Sequence, residues 1–140
     1  TMRNLSSMLG GAGVKIKDSF EKLHNVCFNY EGKRTATLND FYKVGFKSRN
    51  LSCMLCGAGA RISSILKKLH SLCFNEKGEK TKLLKDFLDK AGFRPCDLCN
   101  ILSGAAESLE QFHYFCFSFW NTKICHCQFL MTKYYLQIWH

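Results

Sequence analysis

Apolar positions in this chain fall at i, i+3 and i+4 spacing in short runs that glycines interrupt. Leu5, Met8 and Leu9 form one run, and Leu51, Met54 and Leu55 form another. That spacing predicts a short helix with one apolar face. A longer stripe of Ile62, Ile65, Leu66, Leu69, Leu72 and Cys73 predicts a second, amphipathic helix. Leu83, Leu84, Phe87 and Leu88 predict a third. Polar residues mark the ends. Asn4, Asn50 and Asp97 stand where an N-cap belongs, and Thr35 and Thr81 are candidate caps of the third helix. The second helix is expected to end near Asn29 or Asn75, with Gly32 or Gly78 in the turn beyond it. The third is expected to stop at Gly45-Phe46 or Gly92-Phe93.

The whole pattern recurs. Asn4-Leu5-Ser6-Ser7-Met8-Leu9-Gly10-Gly11-Ala12-Gly13 returns as Asn50-Leu51-Ser52-Cys53-Met54-Leu55-Cys56-Gly57-Ala58-Gly59, and more loosely from Asp97 to Ala106. The period of about 46 residues lies in the range of stacked helical units. The units run over residues 4–49, 50–96 and a truncated 97–117, with an aromatic-rich tail or cap over 118–140. The second unit is one residue longer than the first, the extra residue falling between Leu88 and Phe93. The third aligns only if four residues are missing after Ala106, close to one helical turn, so its apolar face is kept. The expected fold is all-α: tandem three-helix repeats stacked as a short right-handed solenoid. Such an array offers an extended face to one large partner and suits a binding protein better than an enzyme.

Composition narrows the class of partner. The 140 residues carry 20 Lys and Arg against 11 Asp and Glu, a formal charge of +9. Nucleic acid, an anionic surface or an acidic protein are all compatible with it. Nine cysteines, an odd number, without an apolar leader at the start, point to reduced thiols in an intracellular setting. No run of 18 apolar residues exists, so a membrane-spanning helix is not expected.

The candidate chemistry sits first in the inter-helix loops, Gly10-Gly11-Ala12-Gly13, Cys56-Gly57-Ala58-Gly59 and Ser103-Gly104-Ala105-Ala106. Glycine lets a backbone approach another molecule closely, and a helix N-terminus favours an anion. Lys15, Lys17 and Arg61 follow the two full-length loops, whereas Glu107 follows the third. Loops at a fixed period suit a periodic polyanion such as duplex nucleic acid. The competing reading is that Gly and Ala permit tight helix–helix packing at a turn. A second recurrence, Leu-His-x-x-Cys-Phe at His24/Cys27, His70/Cys73 and His113/Cys116, suits a helix core better than paired zinc ligands. Cys53-x-x-Cys56 with Cys96-x-x-Cys99, plus Cys125-His126-Cys127, form a third constellation, but the spacer between the CxxC pairs is about twice that of a usual zinc site and the cysteines fall at non-equivalent repeat positions. Asp40 and Asp86 recur too, and are expected on a solvated face or in a turn of the third helix. No catalytic constellation and no cofactor motif is legible.

The run Leu-x-x-Met-Leu-x-Gly-Ala-Gly followed by a basic residue resembles the repeats of TAL-effector-like DNA-binding proteins, over about half of each unit. The resemblance implies loops that enter the major groove of double-stranded DNA. Gly11-Ala12, Gly57-Ala58 and Gly104-Ala105 would face bases, while Gly13 with Lys15 and Gly59 with Arg61 would hold phosphate. It also implies a bacterial protein delivered into a host cell, with a nuclear destination. Three such units would bind with little sequence preference or belong to a longer array. The alternative is a helical-repeat scaffold for a protein partner. Membrane-surface binding ranks last, because the aromatic tail lacks an amphipathic period.

Overall fold

The computed structural model describes residues 2–12 and 15–119, and the protein is all-α over them. The elements are α1 (Met2–Met8), α2 (Ile16–Cys27), α3 (Ala36–Lys43), α4 (Ser48–Met54), α5 (Ile62–Cys73), α6 (Lys82–Lys85), α7 (Pro95–Ile101) and α8 (Leu109–His113). Helix α6 runs on as a π turn over Asp86–Lys90, and α8 as a π turn over Tyr114–Phe119. Short 3-10 turns lead into α5 and α8, at Gly59–Arg61 and Ala106–Ser108. The expected tail over 118–140 lies almost wholly outside the described residues, as do Gly13 and Val14 of the first loop. Among the described residues no helix is long and apolar enough to cross a membrane.

Packing follows the apolar stripes. Of the α5 stripe, Ile62, Ile65, Leu66, Leu69 and Cys73 are buried, and Leu72 is half-buried. Each fully buried aliphatic side chain contributes roughly 1.5–3 kcal/mol. Helix α1 lies against α4, and α4 against α7. Helix α2 lies against α5, and α5 against the turn that opens α8. Helix α3 bridges α2 and α5. The fully buried Phe41, Phe46, Phe87 and Phe112 mark the centre of a single apolar core.

The helix starts differ from expectation in one respect. Asn4, Asn50 and Asp97 do not occupy the N-cap: Asn4 lies inside α1, and Asn50 and Asp97 sit three residues inside their helices, after Lys47 and Arg94. From there their side chains accept the N-cap backbone N–H, Lys47 N to Asn50 Oδ1 and Arg94 N to Asp97 Oδ2, both at 2.9 Å. This is the reach-back half of a capping box, which satisfies the backbone N–H of the N-cap residue itself. Pro95 fills the first helical position, where its missing N–H costs nothing. Thr81 is an N-cap as expected and accepts from Leu84 N. Beyond α2 and α5, Asn29 and Asn75 each accept two backbone N–H groups of the following turn.

The extra residue of the second unit has a clear structural fate. Helix α3 ends with Phe46 N donating to Phe41 O and Gly45 N to Tyr42 O, a Schellman closure with Gly45 at φ 101°. The corresponding stretch of α6 widens into the π turn, with Ala91 N donating to Asp86 O. A π turn accommodates one residue more than an α turn. The insertion is thereby absorbed inside the helix, and Phe93 still meets Phe87 (5.9 Å between ring centroids) as Phe46 meets Phe41 (5.4 Å).

Candidate nucleic-acid interface

The three glycine-containing loops share one backbone design. After α1, Ala12 N donates to Leu9 O and Lys15 N to Ala12 O. After α4, Ala58 N donates to Leu55 O and Arg61 N to Ala58 O. After α7, Ala105 N donates to Leu102 O and Ser108 N to Ala105 O. Each loop turns on a glycine in the left-handed region, Gly11 at φ 81°, Gly57 at 79° and Gly104 at 74°. A side chain costs about 1–2 kcal/mol in that region.

The second and third loops also bond to the helix that precedes the neighbouring loop. Gly57 N donates to Ser7 O and Gly104 N to Cys53 O, both at 2.9 Å. These bonds satisfy C-terminal carbonyls of α1 and α4 with donors from the next loop. The approach is close: a Cβ on Gly10 would lie 3.6 Å from Gly57 Cα, and one on Gly59 would lie 3.2 Å from both Ala12 N and Gly10 O. Several of these glycines therefore have a packing reason. Gly59→Ala should destabilise the protein by about 1–2 kcal/mol through its φ of 53°, with a further cost from backbone atoms that cannot yield. Urea unfolding of this variant beside Gly57→Ala, whose added Cβ meets nothing within 4 Å, separates the two contributions. Equal midpoints would remove the loop-on-loop contact from the account.

This arrangement divides the candidate contact residues. Gly11, Cys56, Gly57, Ser103 and Gly104 are exposed, as are Lys15, Lys17 and Arg61. Gly10 is half-buried. Ala12, Ala58, Ala105 and Gly59 are buried beneath the turns. Gly13 lies outside the described residues. The exposed crest of each loop is thus its left-handed glycine, joined in the second and third loops by the residue before it, and not the alanine. Arg61 Nη1 lies 2.9 Å from Glu107 Oε1, which ties the basic residue after the second loop to the acidic residue after the third. Lys15 and Lys17 make no ion pair among the described residues.

The recurring His and Asp residues find a use that the sequence left open. Asp40 and Asp86 are buried rather than on a solvated face, with side chains 8% and 1% exposed. His70 Nε2 lies 2.8 Å from Asp40 Oδ2, and His113 Nε2 lies 2.7 Å from Asp86 Oδ2. Each bond joins a third helix to the second helix of the next unit. The neighbouring phenylalanines follow the same plan. Phe41 meets His70 and Phe74 edge-on, and Phe87 meets His113 and Phe117 edge-on. Asp86 also receives Lys82 Nζ at 2.8 Å and Lys90 Nζ at 3.3 Å. Burial pushes its carboxyl up, but Lys82, His113 and Lys90 together outweigh that and hold it at about 2. The shared spacing of Asp-Phe and of His-x-x-x-Phe was the available signal. Nothing in the chain order indicated that the two motifs pair across units.

Three of the cysteines, Cys27, Cys73 and Cys99, are structural in character. Burial pushes Cys27 up to about 11 and Cys73 up to about 12. Burial, with Cys53 alongside, pushes Cys99 up to about 12. Thiols so shifted are neither thiolate nucleophiles nor ready metal ligands at neutral pH. No group of three or more His, Cys, Asp or Glu among the described residues is placed to hold a metal ion. Comparison with known protein families, with characterised proteins and with solved structures finds no match. The functional reading therefore rests on the geometry of the loops and the charge around them.

Proposed function

We propose that the units stack as a short right-handed solenoid that binds duplex DNA along the crest of its loops, with little sequence preference. The observation that carries this reading is the row of exposed glycines at Gly11, Gly57 and Gly104, the second and third loops tied to α1 and α4 by Gly57 N to Ser7 O and Gly104 N to Cys53 O, with Lys15 and Lys17 exposed after the first. Backbone without side chains at the crest permits close approach to a sugar–phosphate edge. The crest positions present no side chain larger than Cys56 or Ser103 to read a base, which favours phosphate contact over base readout. The net charge of +9 adds a sequence-independent attraction.

Fluorescence anisotropy of a labelled random-sequence duplex, measured against salt, tests the proposal. Affinity should fall steeply as salt rises. The Lys15→Ala, Lys17→Ala double variant should reduce the slope of log K against log salt by about 2, roughly one for each lost phosphate contact. A folded chain that shows no binding at low salt would remove the DNA reading.

A protein partner is the second reading. One observation favours it: Ile16 and Phe20 on α2 are 54% and 45% exposed, beside an apolar cleft of about 300 Å³. A large apolar side chain left in water next to a cleft marks a contact surface.

A further inference from the structure

Three second helices carry the same His-x-x-x-Phe motif, at His24/Phe28, His70/Phe74 and His113/Phe117. Two of them are covered. The Asp40-Phe41 pair of α3 covers His70 and Phe74, and the Asp86-Phe87 pair of α6 covers His113 and Phe117. The first is not. His24 is exposed, whereas His70 and His113 are half-buried; Phe28 is half-buried, as is Phe117, and Phe74 is buried. The ring geometry within each helix is already in place: His24 and Phe28 lie 5.3 Å apart at 35°, and His70 and Phe74 lie 5.2 Å apart at 31°. The hairpin turn beyond the helix shows the same difference. A Cβ on Gly78 would lie 2.8 Å from Asp40 Oδ1, while one on Gly32 would meet nothing within 4 Å. Beside the uncovered pair lies the cleft of about 300 Å³, lined by Leu5, Met8, Leu23, His24, Cys27 and Phe28 among others.

We propose that this cleft is a docking site for an amphipathic helix that carries adjacent aspartate and phenylalanine residues. The phenylalanine ring enters the cleft edge-on to His24 and Phe28, and the aspartate accepts a hydrogen bond from His24 Nε2 beside Gly32. Internal repetition identifies the occupant, since the protein twice displays what covers this motif. A second copy of the described chain does not supply the helix, because its Asp40-Phe41 and Asp86-Phe87 pairs are already buried against His70-Phe74 and His113-Phe117 of the same chain. The exposed Phe20 extends the apolar contact along α2. The proposal is independent of DNA binding.

The test uses the full chain and a helix-stabilised peptide with the sequence of residues 35–46, which contains Asp40 and Phe41. Ring NMR signals of His24 and Phe20 should shift saturably, with a Kd on the order of 0.1 mM, as a single anchored helix implies once its ordering cost is met. Asp40→Asn in the peptide should weaken binding about tenfold, the usual worth of a charged hydrogen bond. Phe41→Ala in the peptide, or His24→Ala in the chain, should reduce it to the detection limit. Three results would overturn the proposal. One is no shift at about 1 mM peptide, well above the expected Kd. Another is an equal response to the Phe41→Ala peptide. The third is shifts at His24 that vanish on diluting the chain alone, which would show a second copy on the face.

Discussion

Phe87→Ala should lower the free energy of unfolding by about 3–5 kcal/mol, as expected for truncating a fully buried aromatic ring. Phe87 is 0% exposed and meets four rings: Phe93, Phe112, His113 and Phe117. These come from the end of its own unit and from the second helix of the next. Truncation would leave a cavity at that junction, and helices fixed by the His113–Asp86 bond and by the α4–α7 contact can collapse into it only in part. Against a total stability of about 5–15 kcal/mol for a domain of this size, the loss is a large fraction. Urea unfolding followed by circular dichroism measures it, with Phe20→Ala as the comparison. Phe20 is 45% exposed, so its truncation should stay within about 0.5 kcal/mol of neutral. A Phe87→Ala cost below about 1 kcal/mol would contradict the junction as described.

Asp86 gives the second large effect, and it depends on pH. Its side chain is 1% exposed and carries His113, Lys82 and Lys90 around it. Asp86→Ala removes the buried acceptor of three charged or polar partners, of which Lys82 and Lys90 are themselves exposed, and should cost about 2–3 kcal/mol at neutral pH. The carboxyl titrates at about 2 in the folded protein against an ordinary value of 3.8. Because the folded value is the lower one, the unfolded chain binds the proton first as pH falls. The associated stability is complete above about pH 4 and is lost as pH falls toward 2. The shift corresponds to about 2 kcal/mol. Asp86→Asn keeps the shape and removes the titration. Stability measured from pH 2 to 6 should therefore converge for the two proteins at the acid end. Parallel curves over that range would show that the carboxylate contributes no acid-dependent stability.

Much of the architecture was legible in the chain. The i, i+3, i+4 runs located the helices, because burial of one face imposes that spacing whatever lies opposite. The recurrence showed which segments are equivalent, and the single extra residue of the second unit was countable. The form the insertion took was not countable. A loop or a π turn would satisfy the alignment equally, and only the need to keep Phe93 beside Phe87 selects the π turn between Asp86 and Lys90. Asn50 and Asp97 were read as N-caps because a cap and a reach-back residue differ by three positions and use the same side chains. Which of the two applies depends on where Lys47 and Arg94 leave the extended region.

The candidate site divides along the same line. Glycine in the loops followed from the sequence, since a sharp left-handed turn at Gly11, Gly57 and Gly104 demands it. That Ala12, Ala58 and Ala105 lie beneath the turn, and that Arg61 is drawn to Glu107, came only from the neighbouring loops that pack there. The Asp-Phe and His-x-x-x-Phe motifs were visible as repeats, yet 30 residues separate Asp40 from His70 and 27 separate Asp86 from His113. Local periodicity carries no information over such a span. The sequence by itself thus determined which faces are apolar and where helices break, because those follow from short-range spacing and backbone sterics. Tertiary structure alone decided which repeated motif covers which, and left His24 and Phe28 as the uncovered pair, because that depends on one unit meeting the next.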